Sequence, residues 1–232
     1  MNNSIIVHDL GLVEYDAALD YQLNLFNEII QSKLNNRRNN TNLITKNHLV
    51  FVEHPHIYTL GKSGEIKNLL LSKEELENKG IKFYNTNRGG DITCHGPGQI
   101  VCYPIIDLDN FFTDIHKYLR FLEEVVILTL SEFGIKGERS SDETGVWLDP
   151  NTFKSRKICA MGVKASRWVT MHGLALNVNN DLSFFENIIP CGILNKSVTS
   201  ISNELKKEIN IDLVKKKIIN NFLIIFSAKL IN

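Results

Sequence analysis

The sequence predicts an α/β protein of the α+β type, with a mixed, antiparallel-rich sheet and helices packed against one side. Three observations carry that expectation. Apolar residues recur at helical spacing in two long stretches, 14–33 and 113–133, and again near 212–230. Between them, short strand-like runs follow one another without strict strand–helix alternation. The chain has 232 residues, 43% of them hydrophobic, with no internal repeat and no linker that forces a boundary. That is ample for a sizeable core in a single domain spanning 1–232.

The elements follow in order. Tyr15, Ala18, Leu19, Leu23, Phe26, Ile29 and Ile30 mark one face of the first helix, and the polar run from Asn35 to Asn42 reads as the loop that ends it. Leu49-Val50-Phe51-Val52 reads as a strand. His54-Pro55-His56 breaks it, and Ile57-Tyr58-Thr59-Leu60 resumes extended. Ser72 with Glu75 three residues on fits a capping box, opening a short helix that Gly80 closes. Strands are predicted at 81–85, 90–94 and 99–106. Ile115, Leu119, Leu122, Val126 and Leu130 line one side of the second long helix, with Gly134 just past its end. Strands at 143–148, 156–164 and 172–178 follow. On the last helix Leu213, Ile218, Phe222, Ile225 and Phe226 are spaced for burial, and residues after about 180 could form a small appendage.

Bulk properties exclude several classes. Lysine plus arginine and aspartate plus glutamate each number 26, so net charge is zero. A nucleic-acid partner held by phosphate contacts calls for a basic excess, so none is expected. The longest apolar run, Phe222 to Phe226, is far short of the ~20 residues of a membrane span. Met1-Asn2-Asn3-Ser4 has no basic, apolar leader, which gives a cytoplasmic location with reduced thiols as the expectation. His54, His56, His95, His172 and the four cysteines lack the paired spacing of a zinc site, so no metal is expected.

The richest stretch is Arg88-Gly89-Gly90-Asp91-Ile92-Thr93-Cys94-His95-Gly96-Pro97-Gly98-Gln99. Four glycines beside a cation and an imidazole exceed the needs of a hairpin and suggest backbone lying against a ligand. Gly61-Lys62-Ser63 looks like the tail of a phosphate loop, but His56 stands where that loop requires its first glycine. His95 and His172 each precede a glycine, which is compatible with a pocket or with a loop-holding hydrogen bond. Cys191, between Pro190 and Gly192, is a candidate nucleophile, and Cys159 is its main rival; the alternative is that both are small buried hydrophobes. Lys157 is the candidate cation to lower a thiol pKa. In a regular strand Lys157, Cys159 and Met161 would point to one side.

Together these segments closely resemble the lipoyl(octanoyl) transferases, within the biotin/lipoate protein ligase superfamily. The matching pieces are Tyr15-x-x-Ala18 with Gln22, Glu53-His54-Pro55 leading to Tyr58-Thr59-Leu60-Gly61, and the run from Arg88 to Gln99. Tyr103-Pro104 with Asp107-Leu108, Gly145-Val146-Trp147, and Lys157-Ile158 with Gly162 follow. His172-Gly173-Leu174-Ala175-Leu176-Asn177-Val178 and Pro190-Cys191-Gly192-Ile193 complete the set, which covers roughly residues 10–201. The resemblance implies a biotin/lipoate protein ligase-like fold. It implies transfer of an octanoyl group from acyl carrier protein to a lysine of lipoyl domains, those of 2-oxoacid dehydrogenase E2 subunits and of the glycine cleavage H protein. It places the acyl-thioester cysteine on Cys191 and the pKa-lowering lysine on Lys157. Substrate-contacting segments fall on Arg88, Gly89, Gly90, Asp91, Ile92, Thr93, Cys94 and His95, on Ala160, Met161 and Gly162, and on Gly173, Leu174 and Ala175. Cys94, where an aromatic residue is common, would touch the pocket and alter its shape; Cys102 stands where a small residue is common.

The implied chemistry needs no cofactor, because a thioester donor is already activated. Cys191 must be a thiolate, the acyl chain must be held, and the oxyanion must be stabilised by backbone N–H groups near Gly162 or Gly192. A neutral Lys157 amine would then take the proton of the acceptor lysine. Burying about seven carbons contributes roughly 5–6 kcal/mol before ordering costs. The basic run Lys154, Arg156, Lys157, Lys164 and Arg167 is a candidate dock for an acidic carrier protein, or else a solvated strand face. Rival readings are an ATP-dependent lipoate or biotin ligase on the same fold, an amidotransferase working between two protein domains, and a non-catalytic lipoyl-domain binder.

Overall fold

The computed structural model describes residues 2–189 and 197–231. The chain runs β1 (Ser4–Leu12), α1 (Tyr15–Asn39), β2 (Asn47–Glu53), β3 (Ile57–Leu60), α2 (Lys73–Asn78), β4 (Lys82–Asn85), β5 (Ile92–His95) and β6 (Gln99–Ile105). It continues through α3 (Ile115–Ser131), β7 (Glu138–Arg139), β8 (Val146–Leu148), β9 (Arg156–Ser166) and β10 (Val169–Asn177). After the undescribed residues come β11 (Ser197–Val198), α4 (Ile201–Leu205), α5 (Ile211–Ile225) and β12 (Lys229–Ile231). Among the described residues, nine strands form one sheet in the order β12-β1-β2-β6-β10-β9-β8-β7, with β11 added alongside β9. β3, at the centre of a second sheet, lies between β4 and β5. Most pairs along β2 to β7 are antiparallel, so the sheet is mixed and antiparallel-rich as the sequence predicts.

Helices cover both faces of the large sheet, not one. Leu49 and Phe51 of β2, Ile100 and Cys102 of β6, and Leu174 and Leu176 of β10 pack with Leu122 and Val126 of α3 and Ile218 and Phe222 of α5. The alternate residues Val50, Val52, Val101, Tyr103 and Ala175 pack with Ala18, Phe26, Ile29 and Ile30 of α1. A strand buried on both faces reads as a continuous apolar run, and Leu49-Val50-Phe51-Val52 is one. The small sheet has its own core of Tyr58, Leu60, Leu76, Ile92, Cys94 and Phe185.

Other boundaries also differ from the sequence-based expectation. Helix α1 runs on through the asparagine-rich stretch to Asn39, where Asn40 takes a left-handed conformation. Asn36 secures this end by bonding both the N–H and the carbonyl of Leu43, and Arg37 and Arg38 sit favourably at the negative end of the helix. The last helix stops at Ile225, and the chain then adds β12 parallel to β1, with Ser4 opposite Lys229. The C-terminal residues therefore pack onto α3 and the sheet edge rather than standing apart as an appendage. The capping box at Ser72 and Glu75 is present with both of its hydrogen bonds.

Phe222 is 1% exposed and stacks on Phe226 at 4.1 Å between ring centroids. Phe222→Ala should cost about 3–5 kcal/mol by urea unfolding, the range for deleting a buried aromatic ring; a loss under 1 kcal/mol would mean that α5 contributes little to this core.

Candidate functional site

A cavity of about 500 Å³ opens between the two sheets. Its wall is assembled where β3 ends and the glycine-rich segment crosses β9. A Cβ on Gly61 would sit 2.2 Å from the carbonyl oxygen of Gly90, and one on Gly162 would sit 2.5 Å from that of Gly89. Only glycine permits either approach. Backbone bonds hold the seam: Lys62 N–H to the Arg88 carbonyl (3.0 Å), Ser63 N–H to that of Gly90 (3.1 Å), and Gly89 N–H to that of Val163 (2.9 Å). The amides of the phosphate-loop look-alike are thus committed to this seam.

The cavity is lined by Arg88, Gly89, Gly90, Asp91, Ile92, Thr93, His95, Lys157, Ala160, Met161, Gly162, Gly173, Leu174 and Ala175 from the sequence-derived set. Cys94 is the exception. It is 3% exposed in the core of the small sheet and does not line the cavity, so it does not shape the pocket directly as expected. Cys191 lies outside the described residues. Its described flanks are fixed: Ile189 N–H bonds the Asn68 carbonyl (2.8 Å), and Val198 on β11 pairs with Lys157. Phe185 and Val198 both line the cavity.

Lys157 reaches the cavity because β9 is irregular. Val146 pairs with Cys159 but Trp147 pairs with Lys157, so Ile158 is an extra residue and the strand bulges there. The bulge breaks the alternation that would send Lys157, Cys159 and Met161 to one side. Lys157 lines the cavity, whereas Cys159 is fully buried against the α3 and α5 face. The Lys157 ammonium lies 3.2 Å from a Glu143 carboxylate oxygen and 4.5 Å from the Trp147 ring centroid. Burial pushes the Cys159 thiol well above its ordinary range, as it does that of Cys102, and pushes Cys94 up to about 12. None of these three presents a thiolate.

The polar groups beneath the cavity are tied together. Arg88 donates to the carbonyl (2.7 Å) and hydroxyl (2.9 Å) of Thr59 and to the Gly89 carbonyl. The Thr59 hydroxyl faces His95 Nε2 at 3.4 Å, and His95 Nδ1 donates to Gln99 Oε1 at 2.8 Å. Gln99 donates to Asn177, Asn177 to the Thr199 carbonyl, and the Thr199 N–H to the carbonyl of Lys157. His172 is left-handed (φ 58°), lines the cavity, and donates from Nε2 to Asn87 at 2.7 Å. His54, buried away from solvent, donates to the Val13 carbonyl and accepts from the Tyr103 hydroxyl; His56 stacks on Phe184. Glu143, Tyr15, Gln99, Asn177 and Leu119 also line the cavity. Tyr15 and Gln99 stand in quoted motifs, but no local pattern marks Glu143.

The basic run is not one solvated face. Arg156 is paired with Glu204 and Asp149, and Lys157 turns inward. No helix among the described residues is long and apolar enough to cross a membrane, and no cluster of three metal-ligating side chains is placed to hold an ion among them.

Residues 14–223 match the model of the lipoyl protein ligase A/B catalytic domain. An octanoyltransferase of Christiangramia forsetii is 62% identical over 99% of both chains, and one of Flavobacterium johnsoniae is 60% identical over the full length of both. A solved bipartite lipoate protein ligase from Thermoplasma acidophilum superposes with a TM-score of 0.68 at 15% identity, over 100% of this chain and 88% of that one. This likeness is one of fold.

Burial holds His95 at about 3 and His172 at about 4, with Arg88 adding to both effects. Unfolded, each imidazole takes a proton near 6.5. Their contribution is fully present above pH 6.5 and is lost as pH falls below it, by up to about 1.4 kcal/mol per pH unit for each. Urea midpoints should fall from pH 7 to 5, and less steeply in His172→Asn; equal slopes would show that His172 does not titrate as described.

Proposed function

This chain belongs to the lipoyl protein ligase A/B catalytic domain family and is an acyltransferase of the octanoyltransferase type, and we propose how it carries out octanoyl transfer for protein lipoylation. The donor is octanoyl-acyl carrier protein. The acceptor is the target lysine of lipoyl domains, on 2-oxoacid dehydrogenase E2 subunits and the glycine cleavage H protein. The octanoyl group is held between them as a thioester on Cys191. The observation that carries this reading is the inward-facing ammonium of Lys157, paired through its backbone with β11, the first described strand after Cys191.

The steps follow from charge. A cation beside the Cys191 thiol favours its thiolate, which attacks the donor carbonyl. The donor C–S bond breaks, and the carrier thiolate leaves and takes a proton from solvent. The acceptor amine then attacks the enzyme thioester, and Cys191 departs as thiolate toward Lys157. The three described cysteines support the choice of Cys191 by elimination, since burial keeps each protonated. The cavity wall of Met161, Val163, Leu174 and Leu119 suits an eight-carbon chain, whose burial supplies roughly 5–6 kcal/mol before ordering costs.

Incubation with octanoyl-acyl carrier protein should add one octanoyl mass to the protein without ATP. Cys191→Ser should abolish the adduct, and Cys159→Ser should retain it. Lys157→Ala should slow acylation roughly 10²-fold or more. An adduct that survives Cys191→Ser would overturn the assignment, and strict ATP dependence would favour the ligase reading.

A further inference from the structure

Glu123 is a carboxylate where the packing of α3 calls for an apolar side chain. Its neighbours Leu122 and Val126 are fully buried in the main core, and Glu123 is equally closed to solvent. A buried carboxylate is costly unless donors satisfy its oxygens. Replacing such a group and its partners by apolar ones is often neutral for stability, so the core alone does not call for glutamate here. What Glu123 holds says more. Its Oε2 accepts from Arg120 at 2.8 Å and from Arg139 at 3.1 Å, and its Oε1 accepts the Gly145 N–H at 3.0 Å. Arg139 is the last residue of β7, and Gly145 directly precedes β8. One side chain on α3 thus clamps both ends of the loop 140–144. Asp142, Glu143 and Thr144 of that loop line the cavity.

The clamp bears on Lys157. Gly145 has φ 123°, and a Cβ there would lie 2.6 Å from the Cys159 carbonyl oxygen and 3.8 Å from Cε of Lys157. No side chain fits. The backbone of Gly145 is therefore pressed against the β9 bulge and against the stem of the lysine. Two residues on, the Trp147 ring lies 4.5 Å from the Lys157 Nζ. Gly145 and Trp147 together set the course of that side chain, and Glu123 anchors the first of them. Glu123 itself does not line the cavity.

We propose that Glu123 is a positioning residue of the active centre: by clamping the start of β8 against β9, it fixes where the Lys157 side chain stands. The inference rests on the proposed roles of Lys157 and Cys191. Without the carboxylate, the Gly145 N–H loses its acceptor and Arg139 loses its tie to Oε2, so both ends of the loop are released from α3. Gly145 then no longer bears on the bulge at a fixed distance, and Lys157 takes more than one position. A reacting group displaced by about 1 Å loses up to about a hundredfold in rate. Binding of the donor is unaffected, because Glu123 touches no part of the cavity.

A double-mutant cycle tests this. Single-turnover acylation of the full chain by octanoyl-acyl carrier protein, followed by intact mass, gives a maximal rate and a half-saturating donor concentration. Glu123→Ala should lower the maximal rate roughly tenfold or more and leave half-saturation within about twofold. In a Lys157→Ala background the same change should lower the rate less than about twofold, because the group it positions is gone. A merely structural role would slow both backgrounds alike. Should the alanine variant unfold in urea titrations, Glu123→Gln carries the same cycle: its amide oxygen can serve the arginines or the Gly145 N–H, not both. Equal slowing in both backgrounds, a rise in half-saturation alone, or a wild-type rate in the Glu123 variant would overturn the assignment and leave the roles of Lys157 and Cys191 standing. A wild-type chain that forms no Cys191 adduct, or full-rate acylation in Lys157→Ala, would instead overturn those roles, and this inference with them.

Discussion

The cavity wall depends on the glycine-rich segment lying backbone to backbone against both the end of β3 and strand β9. At Gly61 and Gly162 there is no room for even a methyl group against the carbonyls of Gly90 and Gly89. Contact this close lets three backbone hydrogen bonds tie down the glycine-rich segment, two to the stretch after β3 and one to Val163 of β9. Glycine loses more backbone entropy on folding than other residues. A cluster of glycines weakens a chain unless close approach returns the cost, and here it does. The same seam fixes the position of Arg88, whose guanidinium closes over β3 rather than pointing into solvent.

From that seam a chain of hydrogen bonds leads to the backbone of Lys157 on β9. It passes from Arg88 through Thr59, His95, Gln99, Asn177 and Thr199 to the backbone of Lys157. Each bond contributes modestly, but a buried group left without its partner costs about 1–3 kcal/mol. The network therefore resists partial disruption more than its individual bonds suggest. It explains why polar residues such as Gln99 and Asn177 occupy buried positions on strands that are otherwise apolar.

Much of the fold is legible in the sequence because helical periodicity and turn chemistry are local. The inward stripes of α1 and α3 and the Ser72 capping box are examples. Strands β1 and β12 are not legible by the same means. β12 is three exposed residues that exist as a strand only through pairing with β1, a partner more than 220 positions away. The covering of both sheet faces is written in Leu49-Val50-Phe51-Val52, although a short apolar run alone does not say which helices supply the cover. At the site, residue types single out Lys157 and the glycine-rich segment, but the Ile158 bulge that separates Lys157 from Cys159 depends on the register with β8. Glu143 carries no signal, because its relation to Lys157 is made in space across 14 positions.

The pairing of β1 with β12 also orders events in time. Synthesis delivers Ser4 more than 220 positions before Lys229, so the outer side of β1 lacks its β12 partner until those later residues have been made. Contacts so distant in sequence form slowly once all of the chain is available. Until β12 arrives, the nascent chain carries β1 as an open strand template, and that pairing closes the border.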